Sequence, residues 1–177
     1  MKKLLIPFFF LVISLNISSQ NGRNGPSLWE EIRANSNLNY DNTKPQIIEA
    51  LKKYDSHQYL INRLSKNGQR YLFYTVSEAL KRDLPVELSL IPFIESQFDP
   101  YAQSSTGASG IWQFIPSTAI ENGLKKNWWY DARRDIVAST DAAYNFLIEL
   151  HQEHDDWLIA IAAVSYTHLR AHETSCD

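Results

Sequence analysis

Glu95 closes an apolar run, Leu88-Ser89-Leu90-Ile91-Pro92-Phe93-Ile94, and is followed directly by Ser96. Apolar neighbours disfavour an ionised carboxylate, and so does the negative C-terminal end of a helix. A carboxylic acid that keeps its proton near neutral pH is what general-acid cleavage of a glycosidic bond requires. Position alone does not assign that role, because most glutamates at helix ends are simply solvated. Downstream lies a loop of small residues, Ser104–Gly110 (SSTGASG), where backbone can come close to a ligand. Trp112, Phe114, Trp128, Trp129 and Tyr130 crowd beside it. Aromatic faces suit the apolar C–H patches of sugar rings. Any one of these rings is explained as core, but together in a loop-rich stretch they point to a groove.

Ordinary glycosidases need a second carboxylate, roughly 5–5.5 Å away as nucleophile or roughly 6.5–9.5 Å away as base. The candidates near Glu95 in sequence are Asp99, Asp131 and Asp135. Asp99 precedes Pro100 at a turn, and the other two read as turn and cap residues. A mechanism in which the substrate supplies its own nucleophile needs no partner, although folding can bring a distant carboxylate to the site.

The elements that must position these groups read as helices. Gln69–Arg82 places Leu72, Val76, Ala79 and Leu80 on one face, and Pro45–Lys66 carries a similar stripe with a restart at Ser56. Leu84-Pro85-Val86-Glu87 reads as a helix start, with proline at the first helical position and an acid in the first turn. Asp135–His151 aligns Ala143, Phe146, Leu147 and Leu150, and Asp155 or Asp156 is suited to cap a final helix. No segment combines strand alternation with hairpin turn chemistry, so the expected class is all-α.

Composition fits a single core with a lead-in: 177 residues, 44% hydrophobic and 12% aromatic. A net charge of -3 gives no basic stripe for nucleic acid. The single cysteine, Cys176, excludes a disulfide framework and a cysteine zinc cluster. No cofactor or metal is expected. His168 and His172 stand one helical turn apart without a third ligand in register, and His151 and His154 flank a polar helix end. Met1–Ser19 has the form of a cleaved export signal: Lys2 and Lys3, the apolar run Leu4–Leu15, then a polar segment ending in a small residue. The apolar run is shorter than the roughly 20 residues of a spanning helix. The mature protein is therefore expected outside the cytoplasm, and the resemblance described next narrows that expectation to the periplasm or cell envelope.

Glu95-Ser96 followed by Gly107-Ala108-Ser109-Gly110-Ile111-Trp112-Gln113-Phe114-Ile115-Pro116-Ser117-Thr118 resembles two of the three catalytic-domain motifs of the lytic transglycosylases, which cleave bacterial peptidoglycan. Asn127-Trp128-Trp129-Tyr130-Asp131 and the segment from Arg133 to Thr140 are similar to the branch called membrane-bound lytic murein transglycosylase D. The resemblance is dense from Leu84 to Ala163 and looser before it. It implies a lysozyme-like helical fold and a single catalytic acid, matched here by Glu95. That acid would protonate the oxygen between N-acetylmuramic acid and N-acetylglucosamine, then accept the proton of the muramic acid C6 hydroxyl as it closes on C1. The product would be a 1,6-anhydro sugar. Ser96 and Gln113 match positions that orient acid and substrate, Gly110 a close-packed loop position, and Trp112 the slot before the glutamine. Phe114, Trp128 and Trp129 complete the expected substrate-binding set, with peptidoglycan glycan strands as the partner.

After Trp157–Ala163 the chain departs from that pattern. The family's third motif, a tyrosine–asparagine pair before a glycine turn, is replaced by Val164–Asp177, and Tyr166 falls two residues late for its place. Ala143-Tyr144-Asn145 imitates it inside another helix. The tail resembles translated sequencing-adapter sequence. The expected layout is a signal peptide at 1–19, a linker at 20–27, and a helical lead-in at 28–83. A C-terminally truncated lysozyme-like domain at 84–163 and a non-native tail at 164–177 complete it. Two alternatives stand beside a transglycosylase: a lysozyme-type hydrolase with an unidentified base, and a glycan-binding protein with a dead site.

Overall fold

The computed structural model describes residues 27–38 and 68–164, and the chain divides into two compact units, Met1–Ile94 and Glu95–Asp177. The expected export signal, most of the linker, the helix over Pro45–Lys66 and the tail beyond Val164 lie outside the described residues.

In the first unit, α1 (Leu28–Ala34) begins with a capping box. Ser27 Oγ accepts from the Glu30 amide and the Glu30 carboxylate accepts from the Ser27 amide, so two orphan donors are satisfied reciprocally. Ser27, expected as the last linker residue, is therefore the cap. Trp29 and Ile32 are its buried positions. Helix α2 (Gln69–Lys81) buries Leu72, Thr75, Val76 and Ala79, and Leu80 is only half-buried. Thr75 lies on the apolar stripe because its hydroxyl finds carbonyl acceptors at Leu72 and Ser89, which satisfies it inside the core.

The segment after α2 differs from expectation. Pro85 is extended, with ψ 122°, and stands outside the helix as its cap. The first turns, Val86–Leu90, form a 3-10 helix that leads into α3 (Ile91–Ser96). Every residue from Leu84 to Phe93 is buried, so the segment is core on all sides and has no solvent face. Glu87, the acid expected in the first helical turn, is 1% exposed. Its Oε1 accepts from Ser36 Oγ at 2.6 Å and from the amides of Asn37 and Leu38 at 3.1 Å each. A carboxylate there ends the α1 segment by taking three donors at once.

The second unit begins at Glu95, inside α3. The helix stops at Gln97 and Phe98, both in left-handed backbone with φ 55° and 58°. No glycine is present, and the Phe98 ring is buried. Left-handed backbone at a bulky residue costs on the order of 1–3 kcal/mol, so burial of Phe98 holds a turn that its own backbone resists. A loop then runs to α4 (Pro116–Glu121), which has proline at its first turn. Asp131 caps a 3-10 helix at Ala132–Arg134, and Asp135 caps α5 (Ile136–His154) through the amides of Val137 and Ala138. Asp155 ends α5 in left-handed backbone, and Asp156 caps the helical segment 157–164.

The buried face of α5 is Ser139, Thr140, Ala142, Ala143, Tyr144 and Leu147. Phe146 and Leu150, expected in that stripe, are half-buried. The face is turned toward Tyr144 because that ring packs edge-on against Trp112, with centroids 5.3 Å apart. No strand occurs among the described residues, only isolated bridges, and the class is all-α.

Candidate active site

Glu95 and Ser96 are half-buried at the end of α3. Ser96 Oγ donates to the carbonyl of Ile111 at 2.9 Å. That bond ties the residue beside the candidate acid to the middle of the glycine-containing loop. Glu95, Ser96 and the loop all lie in the second unit.

The loop is built from its own backbone. Ser104 donates its amide to Ala108, Ser109 to Phe114, Gly110 to Ala102, and Gln113 to Gly110. Gly110 has φ 83°, and a Cβ built there would overlap the carbonyl of Arg133. Only glycine lets those two strands of backbone meet. Gln113 is also left-handed, with φ 51°, and is buried. Its amide nitrogen donates to Gly110 O at 2.8 Å and Ala102 O at 3.2 Å, so this group holds the loop closed from inside.

Arg133 was not singled out as a site residue from sequence, yet it fastens the loop. Its buried guanidinium donates to Gly107 O at 2.7 Å and Phe114 O at 3.1 Å, the two ends of the turn. The rest of the fork engages both oxygens of Asp131, at 2.9 and 2.6 Å. Arg134 adds bonds to Ser109 and Gln103 from the outside. The sequence signal was an adjacent Arg-Arg pair beside an aspartate, and a planar five-donor fork is suited to gather carbonyls with a carboxylate.

The hydrogen bond from Arg133, reinforced by its charge, holds the Asp131 carboxyl below the usual aspartate range. A depressed folded value means that the pair stabilises the fold above the unfolded aspartate range and loses that contribution as pH falls through the lower folded value. Asp131→Asn is therefore expected to cost about 2–3 kcal/mol at pH 7, since it strands a buried cation. The gap from wild type should narrow in melts taken progressively below about pH 4. A gap that stays constant down to strong acid would contradict the pairing.

The five aromatics separate into two groups. Trp112 and Phe114, expected to face substrate, are each 4% exposed. Trp112 is committed to the core: its indole N–H donates to Thr140 Oγ1 at 3.0 Å. A loop of small side chains cannot cover its own underside, so these rings fill it. Trp128, Trp129 and Tyr130 are exposed. The three aspartates considered as second carboxylates all have structural partners. Asp99 accepts from the Tyr101 amide, Asp131 binds Arg133, and Asp135 caps α5 and accepts from the Tyr130 hydroxyl. The His151 ring stacks on Trp157 at 4.0 Å, and no group of metal-ligating side chains occurs among the described residues.

Residues 75–170 match the family described as the transglycosylase SLT domain. This chain belongs to that family. The match takes in α3, the glycine loop and α5, and it also overlaps the first residues of the tail expected to be foreign. Membrane-bound lytic murein transglycosylase D of Escherichia coli (strain K12) is 43% identical over 119 residues, which is 67% of this chain and 26% of that protein. A protein of Alteromonas sp. (strain M-1), named for tributyltin chloride resistance, is 46% identical over 102 residues, 57% of this chain and 49% of that protein. The chain thus spans about a quarter of the length of the E. coli protein. The SLT assignment and the helical architecture agree with the lysozyme-like all-α fold expected from the sequence.

Proposed function

We propose that the chain is the catalytic part of an exported peptidoglycan lytic transglycosylase with Glu95 as its single acid–base. The supporting observation is the Ser96 Oγ to Ile111 O bond, which ties the residue after Glu95 to the loop carrying Gly110 and Gln113. The acid gives its proton to the glycosidic oxygen between N-acetylmuramic acid and N-acetylglucosamine. The resulting carboxylate takes the proton of the muramic C6 hydroxyl as that oxygen bonds to C1, and the 1,6-anhydro end forms with no water consumed. The commitment of Asp99, Asp131 and Asp135 to turns, caps and Arg133 favours this one-carboxylate route over hydrolysis. Ser96, Gly110 and Gln113 are positioning residues in this reading, and Trp112 and Phe114 back the loop from within. The transglycosylase name carried by the E. coli relative supports the substrate class, and its description as membrane-bound supports a cell-envelope location.

Digestion of purified sacculi followed by mass measurement of the released muropeptides tests the assignment. Anhydro ends are expected. Reducing ends would replace the transglycosylase with a hydrolase, and release of nothing by wild type with sacculus binding retained, also in Glu95→Gln, would leave a glycan-binding protein.

A further inference from the structure

The side chains of Arg133 and Asp131 are 5% and 13% exposed, and the reaction proposed above makes no use of this ion pair. A buried pair is a poor way to stabilise a fold, since apolar side chains of the same volume commonly do as well. What this pair supplies is geometry. Four hydrogen bonds leave one planar guanidinium, two to the Asp131 carboxylate and two to the carbonyls of Gly107 and Phe114. With its own orientation fixed by Asp131, the fork fixes the separation of those two carbonyls. Ile111 lies between them, and its carbonyl is the acceptor of Ser96 Oγ, on the residue after Glu95. The Arg133 backbone enters the same contact, because Gly110 packs against its carbonyl with no room for a Cβ. Bonded and packed groups therefore run without a break from Asp131 through Arg133 and the loop to Ser96.

We propose that Arg133, oriented by Asp131, is a positioning residue for Glu95: by spanning Gly107 and Phe114 it sets where the Ile111 carbonyl stands, and that carbonyl holds the end of α3 through Ser96. The inference rests on the acid–base role proposed for Glu95, and neither Arg133 nor Asp131 touches substrate in it. A general acid must come within hydrogen-bond reach of the leaving oxygen. A misplacement of about 1 Å caused far from the chemistry can cost about 10²-fold in rate. Loosening the grip is thus expected to lower kcat and to leave KM near its parental value.

Turnover of soluble glycan strands is measured at a temperature where melts show each variant fully folded. Arg133→Lys keeps the charge but has one nitrogen in place of three, so it cannot hold both carbonyls and both Asp131 oxygens. Its kcat is expected to fall about 10–10²-fold, with KM changed by less than about twofold. Asp131→Asn keeps the arginine without its partner charge. It is expected to fall in the same direction, and it carries the test if the lysine variant does not fold. Lys126→Gln removes the exposed cation 3.9 Å from Asp131 and is expected to keep the parental kcat. Ser96→Ala cuts the same path, so combining it with Arg133→Lys or Asp131→Asn is expected to cost less than the product of the single losses. Losses that multiply assign Arg133 to the fold alone and overturn the proposal. So do a raised KM at unchanged kcat and parental kcat in both Arg133→Lys and Asp131→Asn. A wild type that forms no anhydro ends overturns the proposed function and this inference with it, whereas an active wild type with unaffected variants overturns this inference alone.

Discussion

Glu95→Gln is expected to lower muropeptide release from sacculi by about 10²–10⁴-fold, the range that a positioned general acid–base contributes. Glutamine keeps the size and hydrogen-bonding shape of the side chain but has no proton to give to the leaving oxygen. It also has no carboxylate to receive the C6 hydroxyl proton, so both halves of the reaction fail together. The residue is half-buried, and an isosteric change there should leave the melting temperature near that of the parent. Retained sacculus binding with lost release is the signature of an acid–base role. Wild-type rates in the variant would remove Glu95 from the mechanism and leave the proposed function without a proton donor.

Gly110→Ala is expected to have the largest effect on stability, a loss of more than about 4 kcal/mol. Two independent penalties coincide at this position. The φ of 83° lies in the region alanine resists, and the new methyl would overlap the backbone carbonyl of Arg133. Backbone cannot rotate aside as a side chain does, so the loop, the 3-10 helix at Ala132–Arg134 and the start of α5 must shift together. A fall in melting temperature of at least about 10 °C follows. Gly123 supplies the control, with φ 73° but open space where a Cβ would stand. Gly123→Ala should carry only the conformational penalty, about 1–2 kcal/mol. Equal losses at the two glycines would show that the close approach to Arg133 is not the cause.

Much of the scaffold was legible because periodicity reports burial. The stripe of Leu72, Val76 and Ala79 located α2, and aspartates at the right offsets located the caps of α5 and the last helical segment. What escaped was conformational. Alternation and composition carry no sign that Gln97, Phe98 and Gln113 adopt left-handed backbone, because no glycine or asparagine marks those positions. Glu87 was legible only as a first-turn acid, because nothing local revealed that Ser36, Asn37 and Leu38 would deliver three donors to it. The candidate acid and the glycine loop were visible as residues. Their connection through Ser96 and Ile111, and the fastening of the loop by Arg133, needed three dimensions.

The guanidinium of Arg133 reaches both Gly107 and Phe114, so the stretch between them cannot fray one residue at a time. Amide hydrogens of Ser109, Gly110 and Gln113 would exchange with solvent only when the whole span lifts away, in step with the first turn of α5. A segment composed like a flexible linker is thus expected to open as one cooperative span, as a helix does, because one side chain holds both of its ends.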